Sequence, residues 1–427
     1  MNRIITASSI ITLTISAAAC SDRNLAGPDT TPTAVPATVT VSMDQSRSAT
    51  LLEGDTITAT AFVRDAAGNA VTSGLIVWYA PSGAAITPTG SRTALIAIAY
   101  TGTATFVATI AGARGTFDVT ARRKLEQAFI WTSGSGMSAI LVPTGIVSMI
   151  PSGINDPGEV AGTMTTKESG PNWPHAFIWS ASKGLRDLGT FAGTSGPFYA
   201  IATAINEQGQ VIGYSGTAGT PSRAFRWTEE SGMIYLSQEP VSSVYGINAN
   251  GYIVGERANG PFRWTPASGF ESLAFDTVKY QGAIPRAIND AGQIVGWLVI
   301  DYENDVTAGI LWNPDGEQLE IPGPDIPIAI NNRGQVAGGV YGSAFRWTRA
   351  DGRTPFPISG GVSRAAGIND AGDIVGQMCR SFTECRYMRG FLWAQSGPVT
   401  DLGLLPGTLE TVATGINNTG QVVGYSR

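Results

Sequence analysis

Residues 287–296 read Ala-Ile-Asn-Asp-Ala-Gly-Gln-Ile-Val-Gly, and the pattern Ile-Asn-x-x-Gly-x-(Val/Ile)-x-Gly recurs through the second part of the chain. In each copy a short apolar segment ends at Ile-Asn, a turn ends at the first glycine, and a second apolar segment follows. Because glycine accepts the positive φ that tight turns between strands require, each copy predicts a β-hairpin. The asparagine of the pattern occurs seven times, as Asn155, Asn206, Asn248, Asn289, Asn331, Asn369 and Asn417.

A second motif alternates with the first. It consists of a small residue or proline, then Phe or Ile, any residue and Trp, and its tryptophans are Trp131, Trp179, Trp227, Trp264, Trp312, Trp347 and Trp393. A unit of forty-odd residues is long enough for four short strands and their turns, as in one blade of a propeller. We therefore predict an all-β fold with a seven-bladed β-propeller over residues 126–427.

The two ends of this array are complementary. It opens at Ala128 with the Trp motif and stops at Arg427 just after an Asn motif, so the two halves complete one unit. We expect Ala128 to Trp131 to pair with Gln421 to Tyr425 and close a ring, which removes exposed strand edges. A linear or two-part β-array is the alternative.

These units resemble the extracellular HAF repeat family over about 300 residues. The resemblance is specific because the motifs recur, and not because of any one copy. The resemblance is clearest at residues 175–179, His-Ala-Phe-Ile-Trp, with Asp-Leu-Gly at 187–189, and at residues 415–424. The tripeptide that gives the family its name is not kept in every unit, because Arg223, Ser343 and Arg389 stand where His175 does. The resemblance thus implies an architecture, with no defined activity and no functional role shared by that histidine.

Residues 38–122 predict a separate small β-sandwich. Short alternating segments are separated there by turn residues such as Gly54-Asp55 and Ala67-Gly68-Asn69. The strings Leu-Glu-Gly-Asp-Thr at 52–56, Asp-Ala-Ala-Gly-Asn at 65–69 and Val77-Trp78 resemble the bacterial group 2 immunoglobulin-like domain. The resemblance implies a spacer or adhesion module, and we expect Trp78 to lie in its core rather than to bind a ligand.

The first twenty residues have the organisation of an export signal. Arg3 precedes an apolar stretch from Ile4 to Ile15, and residues 17–20 read Ala-Ala-Ala-Cys. This resembles the bacterial lipobox, which implies that residues 1–19 are a lipoprotein signal peptide and Cys20 is lipidated. A plain secretory signal is the alternative. By resemblance to the enterobacterial sorting rule, Ser21 after the cysteine implies the outer membrane. Residues 20–37, rich in Pro and Thr, predict an extended tether.

Composition limits the partners. Charged residues make up only 14%, and without Arg3 the mature chain has 26 basic against 33 acidic residues, a balance of −7. No basic stripe is present to follow a phosphate backbone, so we expect no nucleic acid partner. We also expect a monomer that is anchored to the membrane through Cys20. Cys379 and Cys385 are expected to form a disulfide in an oxidising compartment.

Few catalytic arrangements are compatible with this sequence. His175 is the only histidine, which argues against a Ser-His-Asp triad or a multi-histidine metal site. The repeated tryptophans and asparagines are interpreted as structural. Asp301 to Asp305 is the densest acidic cluster, for which a solvated loop is favoured over Ca²⁺ binding and no cofactor is expected. Paired carboxylates of a carbohydrate-active hydrolase or lyase stay open as the enzyme alternative.

One connection varies most between units. Between the Val-x-Gly end of one motif and the start of the next lie 13, 10, 5, 12, 5 and 13 residues. If each unit is a blade, these connections share one face, where function in repeat scaffolds usually lies, although neutral insertions are the alternative. The long versions contain Lys167 and Glu168 and the candidate ligand-binding residues Trp173, His175, Trp297, Asp301, Tyr302, Glu303, Asp305, Arg380, Phe382, Arg386 and Tyr387.

These features favour an envelope-anchored binding or scaffolding lipoprotein over an enzyme. We expect its loop-rich face to bind a glycan or a protein, because exposed aromatic residues beside charges are typical of recognition surfaces.

The lipid anchor is directly testable. Globomycin should make the precursor accumulate, and metabolic palmitate labelling of the wild-type chain should disappear in Cys20→Ser. Labelling that survives this substitution would reject Cys20 as the anchor.

Overall fold

The computed structural model describes residues 35–427 with internal gaps at 44–49, 53–55, 83, 99–101, 123–125, 167–172, 191–197, 218–221, 238–242, 324–325, 340–341, 359–360 and 380–386. All regular elements in the described residues are β-strands. The chain divides into two compact units, Met1–Lys124 and Leu125–Arg427. The predicted signal peptide, Cys20, most of the tether, Lys167, Glu168, Arg380, Phe382, Cys385 and Arg386 lie outside the described residues.

The first unit is a β-sandwich. Its eight described strands are β1 (Thr38–Met43), β2 (Thr50–Leu52), β3 (Thr56–Arg64), β4 (Val77–Tyr79), β5 (Ala84–Pro88), β6 (Thr93–Ile98), β7 (Gly102–Ile110) and β8 (Ala113–Arg122). They form two four-stranded sheets, in the orders β1-β3-β6-β5 and β2-β8-β7-β4. Ile96 from one sheet and Phe106 from the other are fully buried in one core, and the Trp78 ring packs edge-on against Phe117 at 6.2 Å. Alternate residues of β3 face this core, as expected for a strand with one buried face.

The second unit contains β9 to β36. These strands are β9 (Gln127–Thr132), β10 (Gly136–Ala139), β11 (Ile146–Ile154), β12 (Val160–Thr166), β13 (His175–Ser180), β14 (Gly184–Gly189), β15 (Phe198–Ile205), β16 (Val211–Thr217), β17 (Arg223–Thr228), β18 (Gly232–Tyr235), β19 (Ser243–Ile247), β20 (Ile253–Arg257), β21 (Gly260–Thr265), β22 (Gly269–Ser272), β23 (Gly282–Ile288), β24 (Ile294–Asp301), β25 (Val306–Trp312), β26 (Gln318–Ile321), β27 (Pro327–Ile330), β28 (Val336–Gly338), β29 (Phe345–Thr348), β30 (Gly352–Pro355), β31 (Val362–Ile368), β32 (Ile374–Cys379), β33 (Arg389–Trp393), β34 (Val399–Asp401), β35 (Thr411–Ile416) and β36 (Val422–Ser426).

These strands form seven four-stranded antiparallel sheets within the described part of the unit. Six sheets use four consecutive strands, starting with β11–β14 and ending with β31–β34. The seventh joins the two ends of the unit in the order β10-β9-β36-β35, with Trp131 opposite Val422 and Phe129 opposite Gly424. The pairing expected between the first and last motifs is therefore present, and the arrangement of sheets is that of a β-propeller.

The repeat glycine that ends each Asn motif is needed for packing. A Cβ atom on Gly213 would lie 1.9 Å from the Ile201 carbonyl oxygen and 2.8 Å from the Phe225 ring. The phenylalanine two residues before each Trp fills this space and is fully buried in six sheets, and Ile310 takes its place in the seventh. Only glycine lets the phenylalanine approach the inner strand so closely. The following tryptophan is less deeply buried, since Trp179 and Trp264 are partly exposed.

The repeat asparagines form a closed ring of hydrogen bonds. In every sheet the Asn Nδ2 donates to the main-chain oxygen of the equivalent asparagine in the next sheet, at 2.8–3.2 Å. The last of these bonds runs from Asn417 Nδ2 back to Asn155 O at 2.9 Å. The Oδ1 atom caps its own turn by accepting the main-chain N–H four residues on, as Asn289 does from Gln293 at 2.9 Å. All seven asparagines are buried, and each Oδ1 accepts a main-chain N–H of its own turn, while each Nδ2 adds a second donor to a main-chain oxygen that already accepts the N–H of its turn glycine.

Candidate functional site

The innermost strand of every sheet contains a β-bulge at the same repeat position. The register skips one residue, three positions before the ring asparagine, between Ala202 and Ala204 in one sheet and between Pro285 and Ala287 in another. The skipped residues are Ser152, Thr203, Tyr245, Arg286, Ile328, Ala366 and Thr414. A bulge leaves the extra residue outside the ladder and turns its side chain to a new direction.

All seven bulged residues line one cavity of about 490 Å³ in the centre of the propeller, hereafter the chamber. Arg364 and Gln377, which face each other across β31 and β32, also line it. The ring asparagines lie at the end of the inner strands, beyond the isoleucines that precede them, so the chamber lies on the other side of those isoleucines. That side is the one from which the connections between second and third strands emerge.

The side chains of the bulged residues make different contacts. The hydroxyls of Ser152, Thr203 and Thr414 donate to carbonyl oxygens of the second strand, at 3.1, 3.4 and 3.3 Å. These three residues therefore satisfy a carbonyl that the bulge leaves out of the ladder. Tyr245 and Arg286 do not have that role, and they lie in neighbouring sheets.

Arg286 is the unusual residue of the chamber. Its guanidinium carbon lies 4.8 Å from the centre of the Tyr245 ring and 5.9 Å from that of Trp297. Its Nε is buried without a hydrogen-bond partner, and the guanidinium has no ion pair among the described residues. Burial lowers the pKa of Arg286 from its usual value. The contacts of this half-buried cation among the described residues are therefore with aromatic rings and not with a carboxylate, which leaves its charge available to an anionic ligand.

Tyr245 links the arginine to an acid. Burial raises the pKa of Tyr245, and its side chain is hydrogen-bonded to Glu256. Burial also raises the pKa of Glu256, while the hydrogen bond to Tyr245 opposes that shift. Glu256 is not among the residues that line the chamber. Tyr245 is thus held in place from behind, with its ring beneath the guanidinium.

The space along the axis of the propeller, hereafter the channel, is acidic at the end opposite the chamber. A cavity of about 240 Å³ is lined there by the ring asparagines and by the residues that follow them, including Asp156, Glu207, Asp290 and Asp370. Their carboxylates accept main-chain N–H groups of the neighbouring sheet, as Asp370 does from Asn332 at 2.8 Å. Desolvation raises the pKa of Glu207, and the charges of Asp156, Asp290 and Asp370 add to this effect. The channel therefore has arginines on one side of the isoleucines and carboxylates on the other.

The candidate loop residues lie in several different settings. Trp297 lies in β24 beneath Arg286, and Trp173 and Tyr387 are half-buried. The fourth long connection is an extended hairpin, in which β24 reaches Asp301 and β25 begins at Val306. Tyr302, Glu303 and Asp305 lie at its exposed tip.

His175 differs from the expectation that these side chains are exposed. It begins β13, is buried, and lies 2.7 Å from Asp187 through Nδ1. Arg389 and Asp401 form the corresponding pair in another sheet, at 3.2 Å. The contact therefore joins the third and fourth strands and belongs to the framework.

The Asp301 cluster is organised as a turn. Asp301 accepts hydrogen bonds from Asn304 Nδ2 at 2.7 Å and from Glu303 N at 2.9 Å, and these bonds lower the pKa of its carboxyl. Across the described residues, no group of three or more His, Cys, Asp or Glu side chains could hold a metal ion. Within the same residues, no helix is long and apolar enough to cross a membrane. Cys379 is disulfide-bonded.

The sequence interpretation missed the bulged residues. Within a repeat that fixes Ile, Asn and both glycines, the position three before Asn holds Ser, Thr, Tyr, Arg, Ile, Ala and Thr in turn. The next position holds only Gly or Ala, so the variation beside it was the available signal. It could not be interpreted without knowing that a bulge turns that side chain to the centre.

Comparison with known proteins identifies no family. No protein-family model and no curated protein matches the chain. Among solved structures, the chain is similar to a streptogramin B lyase, with 15% identity, 70% of this chain and 98% of that chain covered, and a TM-score of 0.44. It is also similar to the β-propeller domain of the Trilobed protease from Pyrococcus furiosus, with 12% identity, coverage of 82% and 93%, and a TM-score of 0.43. A putative TolB from Agrobacterium tumefaciens gives 10% identity, coverage of 70% and 98%, and a TM-score of 0.39. At these values the likenesses carry no inference about activity.

The unpaired state of Arg286 predicts an unusual stability change. In Arg286→Met, a neutral side chain of similar length replaces a guanidinium that has ring contacts but no ion pair. Relief of its desolvation should offset or outweigh the lost ring contacts, so the free energy of unfolding should stay constant or rise by ~1 kcal/mol. Arg263→Met is the matched control, because it breaks an ion pair with Glu271 and should lower that free energy by less than about 1 kcal/mol. Denaturant titration of both variants measures the difference. A loss of several kcal/mol in Arg286→Met would show that the arginine supports the fold.

Proposed function

We propose that this chain is an exported, lipid-anchored binding protein of the cell envelope. In this proposal residues 38–122 are an immunoglobulin-like spacer, and the seven sheets are the blades of a propeller of the HAF repeat type. Its loop-rich end, including the chamber, receives a glycan or protein ligand. The anchor is Cys20, and the outer membrane is the destination.

The observation that carries this proposal is the chamber. A constant framework of bulges brings seven side chains of six residue types to one cavity. A constant scaffold with variable residues at one place is the organisation expected of a binding site. A cavity of about 490 Å³ is also within the usual range for small-ligand sites, about 300–1,000 Å³.

The connecting loops support the same end of the propeller. Since the Asn turns occupy one end, every connection between a second and a third strand emerges at the other, where the chamber lies. Trp297 belongs both to the long fourth hairpin and to the ring pair around Arg286. Tyr302 at the tip of that hairpin is 61% exposed, which makes its ring available to a partner. Loop and chamber residues are therefore parts of one candidate surface.

A carbohydrate-active enzyme is the second candidate, and the acidic mouth is what favours it. Asn418 Nδ2 donates to Asp156 Oδ2 at 3.0 Å and to Asp370 Oδ2 at 3.3 Å, so one side chain holds two carboxylates close together, and a pair of neighbouring carboxylates is what glycosidases require. The raised pKa of Glu207 would suit a general acid. However, the carboxylates already accept hydrogen bonds from neighbouring sheets, so their structural role accounts for their presence. Release of reducing ends from polysaccharides by the wild-type chain but not by Glu207→Gln would favour the enzyme.

The binding proposal is tested by shortening the exposed hairpin and the first long loop. A Cys20→Ser chain that lacks residues 167–172 and has Asn-Gly in place of residues 302–305 should keep its melting temperature but lose binding on a glycan array and to solubilised envelope material. The matched control is Asn250→Ala, an exposed substitution at the opposite end, which should bind like the parent. Equal binding by the shortened chain and its parent would exclude this face.

A further inference from the structure

The two ends of the channel carry side chains of opposite charge. The chamber is lined by Arg286 and Arg364, and no carboxylate is among its described lining residues. The other mouth carries Asp156, Glu207, Asp290 and Asp370. An anion is repelled from the acidic mouth and attracted to the chamber, so an anionic ligand would enter from the loop-rich end.

Arg286 provides the anchoring group for such an anion. Four other arginines also have a buried Nε without a partner, namely Arg226, Arg257, Arg346 and Arg389, but none of them lines the chamber. The planar guanidinium matches the two oxygens of a carboxylate and forms paired charge-assisted hydrogen bonds with it. Arg364, exposed in the same cavity, offers a second cationic group, and Gln377 beside it offers an amide.

The remaining chamber groups fit a sugar ring. The Tyr245 ring lines the chamber and can pack against the apolar face of a saccharide, whereas Trp297 contacts Arg286 without being a lining residue. The oxygens of Ser152, Thr203 and Thr414 donate to the main chain but keep free lone pairs that can accept from sugar hydroxyls. An inorganic anion would bind to the arginines and would not use the ring or the hydroxyl lone pairs.

We infer that the chamber binds the carboxylate-bearing residue of an acidic saccharide, with Arg286 and Arg364 on the carboxylate and the Tyr245 ring beside the sugar. This inference rests on the proposed binding function and specifies the ligand class of that site. It places part of the ligand inside the channel, whereas binding by the exposed loops alone would leave the channel empty.

Isothermal titration of the mature Cys20→Ser chain tests this assignment. The probes are D-glucuronate and digalacturonate, their neutral counterparts D-glucose and digalactose, and inorganic phosphate and sulfate. We expect at least one acidic saccharide to bind, and to bind at least ~10-fold more tightly than its neutral counterpart and than the inorganic anions. Tighter binding of phosphate or sulfate would overturn the saccharide assignment.

Substitutions locate the binding. Arg286→Met should weaken the acidic saccharide at least ~10-fold, and Arg286→Lys should weaken it as well, because an ammonium cannot replace the two-pronged contact. Arg364→Gln should also weaken it, whereas Arg263→Met, on the outer part of a sheet, should leave the affinity unchanged. Unchanged affinity in Arg286→Met would overturn the inference.

The shortened chain separates this inference from the function it rests on. If no acidic saccharide binds, yet the parent binds a neutral glycan or a protein and the shortened chain does not, the chamber assignment fails and the binding function stands. If neither the parent nor the variants bind any probe, glycan or envelope component, both fail.

Discussion

The structure depends on one interaction repeated seven times, the hydrogen bond from an asparagine side chain to the main chain of the next sheet. Each asparagine caps its own turn with Oδ1 and contacts the neighbouring sheet with Nδ2. Because Asn417 donates to Asn155, the series has no end. The inner strands are therefore held in one register around the axis, and the positions along them become equivalent from sheet to sheet.

That equivalence is what makes the centre a plausible site. A bulge three residues before each asparagine places seven side chains of six residue types at one level of the channel. Where the side chain is Ser or Thr, it completes the local hydrogen bonding, and where it is Tyr245 or Arg286 it is left to contact other groups. Variation at this level changes the chamber without disturbing the ring below it. The framework and the site are thus separated by a few residues of the same strand.

The sequence predicted the parts of the fold that recur. The recurring motifs predicted the hairpin at each Asn-x-x-Gly and the strand with each Trp, because spacing and turn chemistry are local properties. Residues 128–131 and 415–425 predicted the joining of the first and last strands. The details of packing were less accessible. Tryptophan is the most conspicuous residue of the second motif, but the fully buried ring is that of the phenylalanine two residues earlier. That ring needs a glycine opposite it.

The site was harder to predict, for two physical reasons. A bulge shifts the inward and outward alternation of a strand, so the direction of Arg286 could not be read from a period of two. The partners of a side chain in a ring lie in other repeats, about forty residues away, as Tyr245 and Arg286 illustrate. Trp297 was recognised through its long connection, but its role beneath Arg286 was not. His175 stood out as the single histidine, although its contact with Asp187 makes it part of the framework.

The most direct test of this account is the effect of Asn417→Ala on hydrogen exchange across the second unit. Loss of this side chain leaves the Gln421 N–H without its acceptor and the buried Asn155 oxygen with only the Gly158 N–H, so the free energy of unfolding should fall by about 1–3 kcal/mol. Exchange should accelerate in β11 and β12 as well as in β35 and β36, on both sides of the closure, while Asn304→Ala at the exposed hairpin tip changes neither. Faster exchange confined to the turn at Asn417, with unchanged stability, would contradict the claim that the asparagine ring holds the propeller together.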